Sequence, residues 1–188
     1  MEGSFLRKIT LEGRSKLGVT SVLVIYSIIV SIVTGIDTIL PMLLSFGGDF
    51  SLMKNRDCFH NRSERDFRTG ILFFMFAHIA YADVMKVDEY SWIKDAMLVA
   101  AMLLVFLILV GIRNNIIAIA LYAVVLTLSA INMYHFYMVT FIGGMLFVIS
   151  DSLIGLFLLL KKDDIVSQIL IWGTYVPSQL IIQSSFLA

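Results

Sequence analysis

The sequence predicts an all-α membrane protein, a bundle of about seven spanning helices. Three observations point there. Of the 188 residues, 59% are hydrophobic and only 15% charged, and the mean hydropathy is +0.91, whereas soluble domains carry about 25% charged residues. The apolar residues also fall into seven runs of membrane-spanning length, since a helix needs about 20 such residues to cross the hydrocarbon core. Finally, the basic residues segregate to alternate connectors, as they do in polytopic proteins.

In order, the predicted spans are Leu17–Thr34, Asp37–Met53, Arg68–Met85, Lys94–Ile112, Ile116–Met133, Met138–Leu160 and Val166–Leu187. Gly35 ends the first span and Asp37 opens the second, which predicts a tight hairpin with a glycine stop and an aspartate N-cap. The long polar interval from Lys54 to Arg68 carries Lys54, Arg56, Arg62, Arg65 and Arg68 and reads as a solvated loop or interfacial helix. The Gly111-Ile-Arg-Asn-Asn115 stretch makes the turn between spans four and five. One domain, residues 1–188, accounts for the chain.

Counting Lys and Arg on alternate sides of seven spans places 12 of the 14 basic residues on one side, leaving Lys86 and Lys94 on the other. Because cytoplasmic loops retain basic residues, the N-terminus is expected in the cytoplasm and the C-terminus on the opposite face. A bacterial plasma membrane or the endoplasmic reticulum suits such a chain. Asn61-Arg62-Ser63 has the glycosylation pattern but falls on the cytoplasmic side, where that chemistry does not occur. The basic N-terminal stretch resembles the start of a signal peptide, yet no small-residue cleavage site follows. Cys58 has no internal partner for a disulfide, and neither a nucleic-acid footprint nor a metal-ligand cluster is legible, so neither partner nor cofactor of those kinds is expected.

Ionisable groups inside apolar spans cost about 2.5–3.5 kcal/mol each to insert, which makes every one a functional candidate. They are Asp49 in the second span, His78 in the third and Asp151 in the sixth, accompanied by Tyr81, Tyr175 and Gln179. His78 and Tyr81 are three apart and Tyr175 and Gln179 four apart, so each pair shares a helix face. Gly144, Phe147, Asp151 and Gly155 form another stripe, whose small members would admit a neighbouring helix closely. Lipid cannot satisfy such faces, so they are expected to converge on an intramembrane polar cavity with two carboxyl groups. Tyr81 and Tyr175 also suit plain interhelical hydrogen bonding, and Asp49 also suits a solvated helix end. Asp37 and Asp83 read as interfacial. A carboxyl buried alone keeps its proton for donation, while one supplied with hydrogen bonds stays ionised and can accept a proton from water. That pairing serves hydrolysis, and it equally serves a small proton-coupled transporter or a lipid-binding protein.

Four blocks give the chain a family likeness: Ser45-Phe-Gly-Gly-Asp49-Phe-Ser-Leu-Met53; Gly70 to Tyr81 with Phe73, Phe74 and His78; Gly143-Gly-Met-Leu-Phe147-Val-Ile-Ser150-Asp151-Ser; and Tyr175 to Gln179 with Ser184. In their order and spacing they resemble the YhhN-like membrane proteins, which include the lysoplasmalogenases. The chain departs from that pattern where Lys16 is followed by Leu17 in place of proline, and in showing seven spans where eight are usual, the first being absent. The resemblance implies hydrolysis of the vinyl ether bond of a lysoplasmalogen, giving a fatty aldehyde and glycerophosphocholine or glycerophosphoethanolamine. It implies Asp49 and Asp151 as the catalytic pair, His78, Tyr81, Tyr175 and Gln179 as groups that orient water and substrate oxygens, and Ser150 and Lys16 in supporting positions. Lys16 and the basic loop would hold the head-group phosphate.

Overall fold

A computed structural model describes residues 2–53, 64–85, 91–109, 115–159 and 165–187. All seven predicted spans are helices: α1 (Glu2–Thr34), α2 (Ile39–Met53), α3 (Glu64–Met85), α4 (Ser91–Leu109), α5 (Asn115–Phe136), α6 (Met138–Leu159) and α7 (Ile165–Ser184), the last running into a 3-10 turn, Ser185–Leu187. α1, α3, α4, α5 and α6 are long and apolar enough to cross a membrane by themselves. α2 has only 15 residues, and α7 carries serine and glutamine towards both ends, at Ser167, Gln168, Ser178, Gln179, Gln183 and Ser184. The predicted Gly111–Asn115 turn, the Lys54–Ser63 stretch with Cys58 and the Asn61 motif, and Lys86 lie largely or wholly outside the described residues.

The boundaries that moved have local causes. α1 begins fifteen residues ahead of the apolar run, because Glu2 to Lys16 contains no proline to stop a helix. At its other end Gly35 takes φ +70°, and its N–H donates to the Ser31 carbonyl at 2.9 Å, the left-handed stop that glycine tolerates. Asp37 sits before the helix it was expected to open; its carboxylate accepts from the Ile39 N–H at 3.2 Å. Pro41 then falls in the first turn of α2, where its missing N–H has no partner to lose. The hairpin is clamped by a reciprocal pair: Ser27 Oγ donates to the Thr38 carbonyl at 2.6 Å and Thr38 Oγ1 to the Ser27 carbonyl at 3.0 Å.

The packing order positions everything that follows. α1 packs on α2, α2 on α3, α3 on α5, α5 on α6, α6 on α7, and α7 returns to α1. Six helices thus close a ring, and α4 lies outside it against α3 and α5. α4 is joined to them through a dry cluster that includes Met75, Ile93, Met97, Leu104 and Val125. A second cluster, with Leu23, Met42, Phe74, Phe147, Tyr175 and Ile182, fills the ring itself. Long apolar side chains such as Ile32, Val33, Leu109 and Ile116 point outward, as lipid contact requires.

Without a hydrophobic drive between helices in lipid, close backbone approach holds such a ring together. An added Cβ on Gly48 would meet the Phe74 ring at 2.7 Å, and one on Gly70 would meet Leu52 at 2.9 Å and the Gly48 carbonyl at 3.4 Å. The Gly-Gly-Asp and Gly70 to Phe74 blocks are therefore the α2–α3 contact. Gly144 does the same towards Met133 of α5, and Gly143 towards Ile182 of α7. Gly155 does not: a Cβ there meets nothing within 4 Å. The expected small-residue stripe on α6 is thus a packing surface at Gly144 only, and Gly155 borders a cavity.

Candidate active site

Because the helices alternate in direction, one end of the bundle gathers the starts of α1, α3, α5 and α7 and the ends of α2 and α6. This is the basic end. Contacts agree with it: Lys16 meets Gln168 and Tyr26 meets Ser184, so α1 and α7 run in parallel, whereas Thr140 meets Ser185 across antiparallel α6 and α7.

Both aspartates lie inside the ring, in the half nearer the basic end, and each is held by a tyrosine. Tyr175 Oη donates to Asp49 Oδ2 at 2.8 Å. Tyr122 Oη donates to Asp151 Oδ2 in a short contact. Asp151 Oδ1 is buried without a hydrogen-bond partner among the described residues.

Phe147, one turn before Asp151 on the same face of α6, is the hub between the two Tyr–Asp pairs. Its ring centroid is 5.6 Å from Tyr175, 4.7 Å from His78 and 6.0 Å from Phe74. His78 in turn lies 6.3 Å from Tyr122, and its Nδ1 shares a 2.9 Å hydrogen bond with Ser129 Oγ on α5. His78 Nε2 has no partner among the described residues.

The remaining candidates are divided between the two ends. Tyr81 and Gln179 bond to each other at 2.8 Å on the side away from the basic end, where Gln183 donates to Tyr81 Oη at 2.8 Å. Ser150 Oγ donates to the Ile171 carbonyl at 3.2 Å; it ties α6 to α7 and contacts neither acid. Lys16, at the basic end, donates to Gln168 Oε1, and its ammonium sits 5.7 Å from the centre of the Trp172 ring, within cation–π range. Trp172 packs edge-on against Tyr175 at 5.5 Å, so one line of contacts runs from Lys16 to Asp49. The interfacial reading of Asp83 agrees with its exposed 2.6 Å salt bridge to Lys94.

A cavity opens beside Asp151 and runs towards the basic end. Its walls are Leu52 from α2, Phe67, Ile71 and Phe74 from α3, Ile119 and Tyr122 from α5, and Ile154 and Gly155 from α6. Apart from the Asp151 carboxyl and the Tyr122 hydroxyl it is hydrocarbon-lined. The arrangement therefore offers a carboxyl in the wall of an apolar cavity, with a second tyrosine-bonded carboxyl across Phe147 and a cation beyond it.

Sequence reasoning missed Tyr122, Ser129, Asn132, Trp172 and Gln183. Gln183 was legible, as it continues the Tyr175, Gln179 spacing by four. Tyr122, Ser129 and Asn132 stand seven and then three apart on one face of α5, a signal obscured because the surrounding run is so uniformly apolar. Among the described residues no group of three metal-ligating side chains comes together.

Comparison with known proteins adds the following. No curated protein and no solved structure matches the chain. A sequence model of the YhhN family matches residues 15–186, all but the first fourteen and last two residues, and takes in every helix that lines the site. The chain belongs to the YhhN family.

Proposed function

We propose that the protein is a membrane-embedded hydrolase of lysoplasmalogen-type lipids, cleaving the vinyl ether bond by acid/base catalysis between Asp151 and Asp49. The observation that carries this reading is the pair of tyrosine-bonded carboxyl groups inside the ring, one of them lining a hydrocarbon slot.

A single-chain lipid has its vinyl ether between a long chain and a polar head, and the two arms of the site match. The chain occupies the apolar slot, which puts the alkenyl carbons against Asp151 and the glycerol oxygen towards Asp49. The phosphate then lies towards Lys16. Tyr122 donates to Asp151 Oδ2, which leaves the proton on Oδ1, the oxygen without a partner among the described residues.

Asp151 Oδ1 gives that proton to the vinyl carbon next to the chain, and the double-bond electrons form the new C–H bond, leaving an oxocarbenium ion at the ether carbon. Asp49 stabilises the cation and takes a proton from the water that attacks it. The resulting hemiacetal collapses: Asp49 returns its proton to the glycerol oxygen as the C–O bond to glycerol breaks, the hemiacetal hydroxyl passes its proton to the Asp151 carboxylate, and a fatty aldehyde leaves. One water is consumed and both carboxyl groups return to their starting states. Following the basic-residue count, the basic end faces the cytoplasm, and reporter fusions at the two termini would read opposite sides of the membrane.

The test gives the purified protein a lysoplasmalogen and its saturated ether analogue and measures aldehyde. The wild type releases aldehyde from the first alone, and Asp49→Asn and Asp151→Asn each reduce release by at least 10²-fold. A wild type that releases none, or Asn variants that match it, would end the proposal.

A further inference from the structure

If the protein is the hydrolase proposed above, each turnover consumes a water while the lipid chain fills the slot at the basic end. Water therefore needs another way in. We infer that it reaches the acids along a buried hydrated line between α3 and α7, entering from the end of the bundle opposite the basic end.

The line is built from polar groups with nothing else to do. Tyr175, Gln179 and Gln183 stand four residues apart on one face of α7, a rise of about 12 Å, and Tyr81 of α3 sits between the two glutamines. Tyr81, Gln179 and Gln183 are all 0% exposed. Each amide presents one of its two ends to Tyr81, so whichever way round it is turned its other end goes unmet. As oriented here, Gln179 Nε2 and Gln183 Oε1 are the unmet ends, and Ser178 Oγ and His78 Nε2 join them as buried polar atoms without partners among the described residues. Four such atoms on two facing helices are what ordered water satisfies, since a buried water makes two to four hydrogen bonds.

Both ends of the line fit the purpose. At the inner end Tyr175, one turn before Gln179 on α7, bonds to Asp49, the carboxyl assigned to take a proton from water. At the outer end Gln183 is followed at once by Ser184, which is exposed and bonded to Tyr26, and by the 3-10 turn that ends the described chain. The α3–α4 cluster supplies the contrast: Met97 is equally buried, at 0% exposure, but is surrounded by hydrocarbon alone.

Hydroxyl-radical labelling by brief X-ray irradiation of the detergent-solubilised protein reads bound water directly and needs no turnover. Rates are normalised to the same residues in the unfolded chain. Tyr81 is expected to be modified at least tenfold faster than Met97, and Gln183→Leu is expected to bring it down to the Met97 rate. In the aldehyde assay the same variant lowers kcat about tenfold with KM unchanged. Wild-type Tyr81 as protected as Met97 would overturn the hydrated line, whatever the variant does. Aldehyde release with a protected Tyr81 would sink this inference alone, whereas a labelled Tyr81 in a protein that releases no aldehyde would sink the hydrolase and leave the water line standing.

Discussion

Tyr122→Phe removes one oxygen and leaves the ring where it packs beside His78, so its effect isolates the hydrogen bond to Asp151. A hydrogen bond to a charged or proton-sharing group contributes about 1.5–3 kcal/mol. At about 1.36 kcal/mol per tenfold in rate, the loss in kcat is about 10- to 150-fold. KM should hold, because Tyr122 contacts the acid and not the head group. The decisive assay is a double-mutant cycle with Asp151→Asn, measuring aldehyde release by coupled reduction in the same detergent. If Tyr122 acts by fixing which Asp151 oxygen carries the proton, the double variant should match Asp151→Asn alone within about twofold, since residues that act as a unit are not additive. Tyr122→Phe with a wild-type kcat would refute the assignment. So would a Tyr122→Phe loss that persists in full on the Asp151→Asn background, which would mean that the hydroxyl acts on something other than Asp151.

Gly48→Ala drives a methyl group to 2.7 Å from the Phe74 ring, which is buried and backed by Phe147; a loss of about 1–3 kcal/mol should appear as a lower thermal midpoint in detergent. Gly155→Ala has open space around it and should leave that midpoint unchanged, while Gly155→Phe, filling the slot, should shift turnover towards lipids with shorter chains in a chain-length series. Lys16→Met should raise KM about tenfold or more for the phosphorylated lysolipid, as the loss of one charge-assisted contact implies, and leave a plain glycerol vinyl ether unaffected.

Much of this architecture was legible in the residues because the bilayer imposes a simple rule: an apolar run of sufficient length must be a helix. The helix order and the α1–α2 hairpin at Gly35 follow from that rule and from glycine stereochemistry. Asp49, His78, Asp151, Tyr175 and Gln179 stood out because polar groups in such runs need partners. What the pattern could not show was which partner each would find. Tyr81 and Gln179 were expected to address substrate, and they address each other. Ser150 was expected among the groups that orient water and substrate, and it caps a carbonyl of α7. The ring that leaves α4 outside depends on which apolar faces fit together, and faces made alike of Leu, Ile, Val and Met do not announce their neighbours. Gly155 shows the same limit in one residue: periodicity gave it the same role as Gly144, and only the fold distinguishes a packing glycine from one beside a cavity.

The same polar interior would suit a carrier, and the two readings differ in what they require of the end opposite the basic one. A carrier opens its binding site to each face in turn, which requires α6 and α7 to separate at both ends. Here α6 and α7 are pinned to each other at that end: Gly143 lets α6 close onto Ile182, and Thr140 Oγ1 donates to Ser185 Oγ at 2.8 Å in a buried contact. Oxygens so close place the two Cβ atoms within reach of a disulfide. Thr140→Cys with Ser185→Cys, in a Cys58→Ser background, should therefore cross-link on oxidation, and a hydrolase whose lipid enters and leaves at the basic end should retain its kcat within about twofold, since a positive result needs no motion at the locked end. Loss of activity on oxidation, restored by reduction, would show that α6 and α7 must part there during turnover, and would overturn lipid entry and exit at the basic end alone.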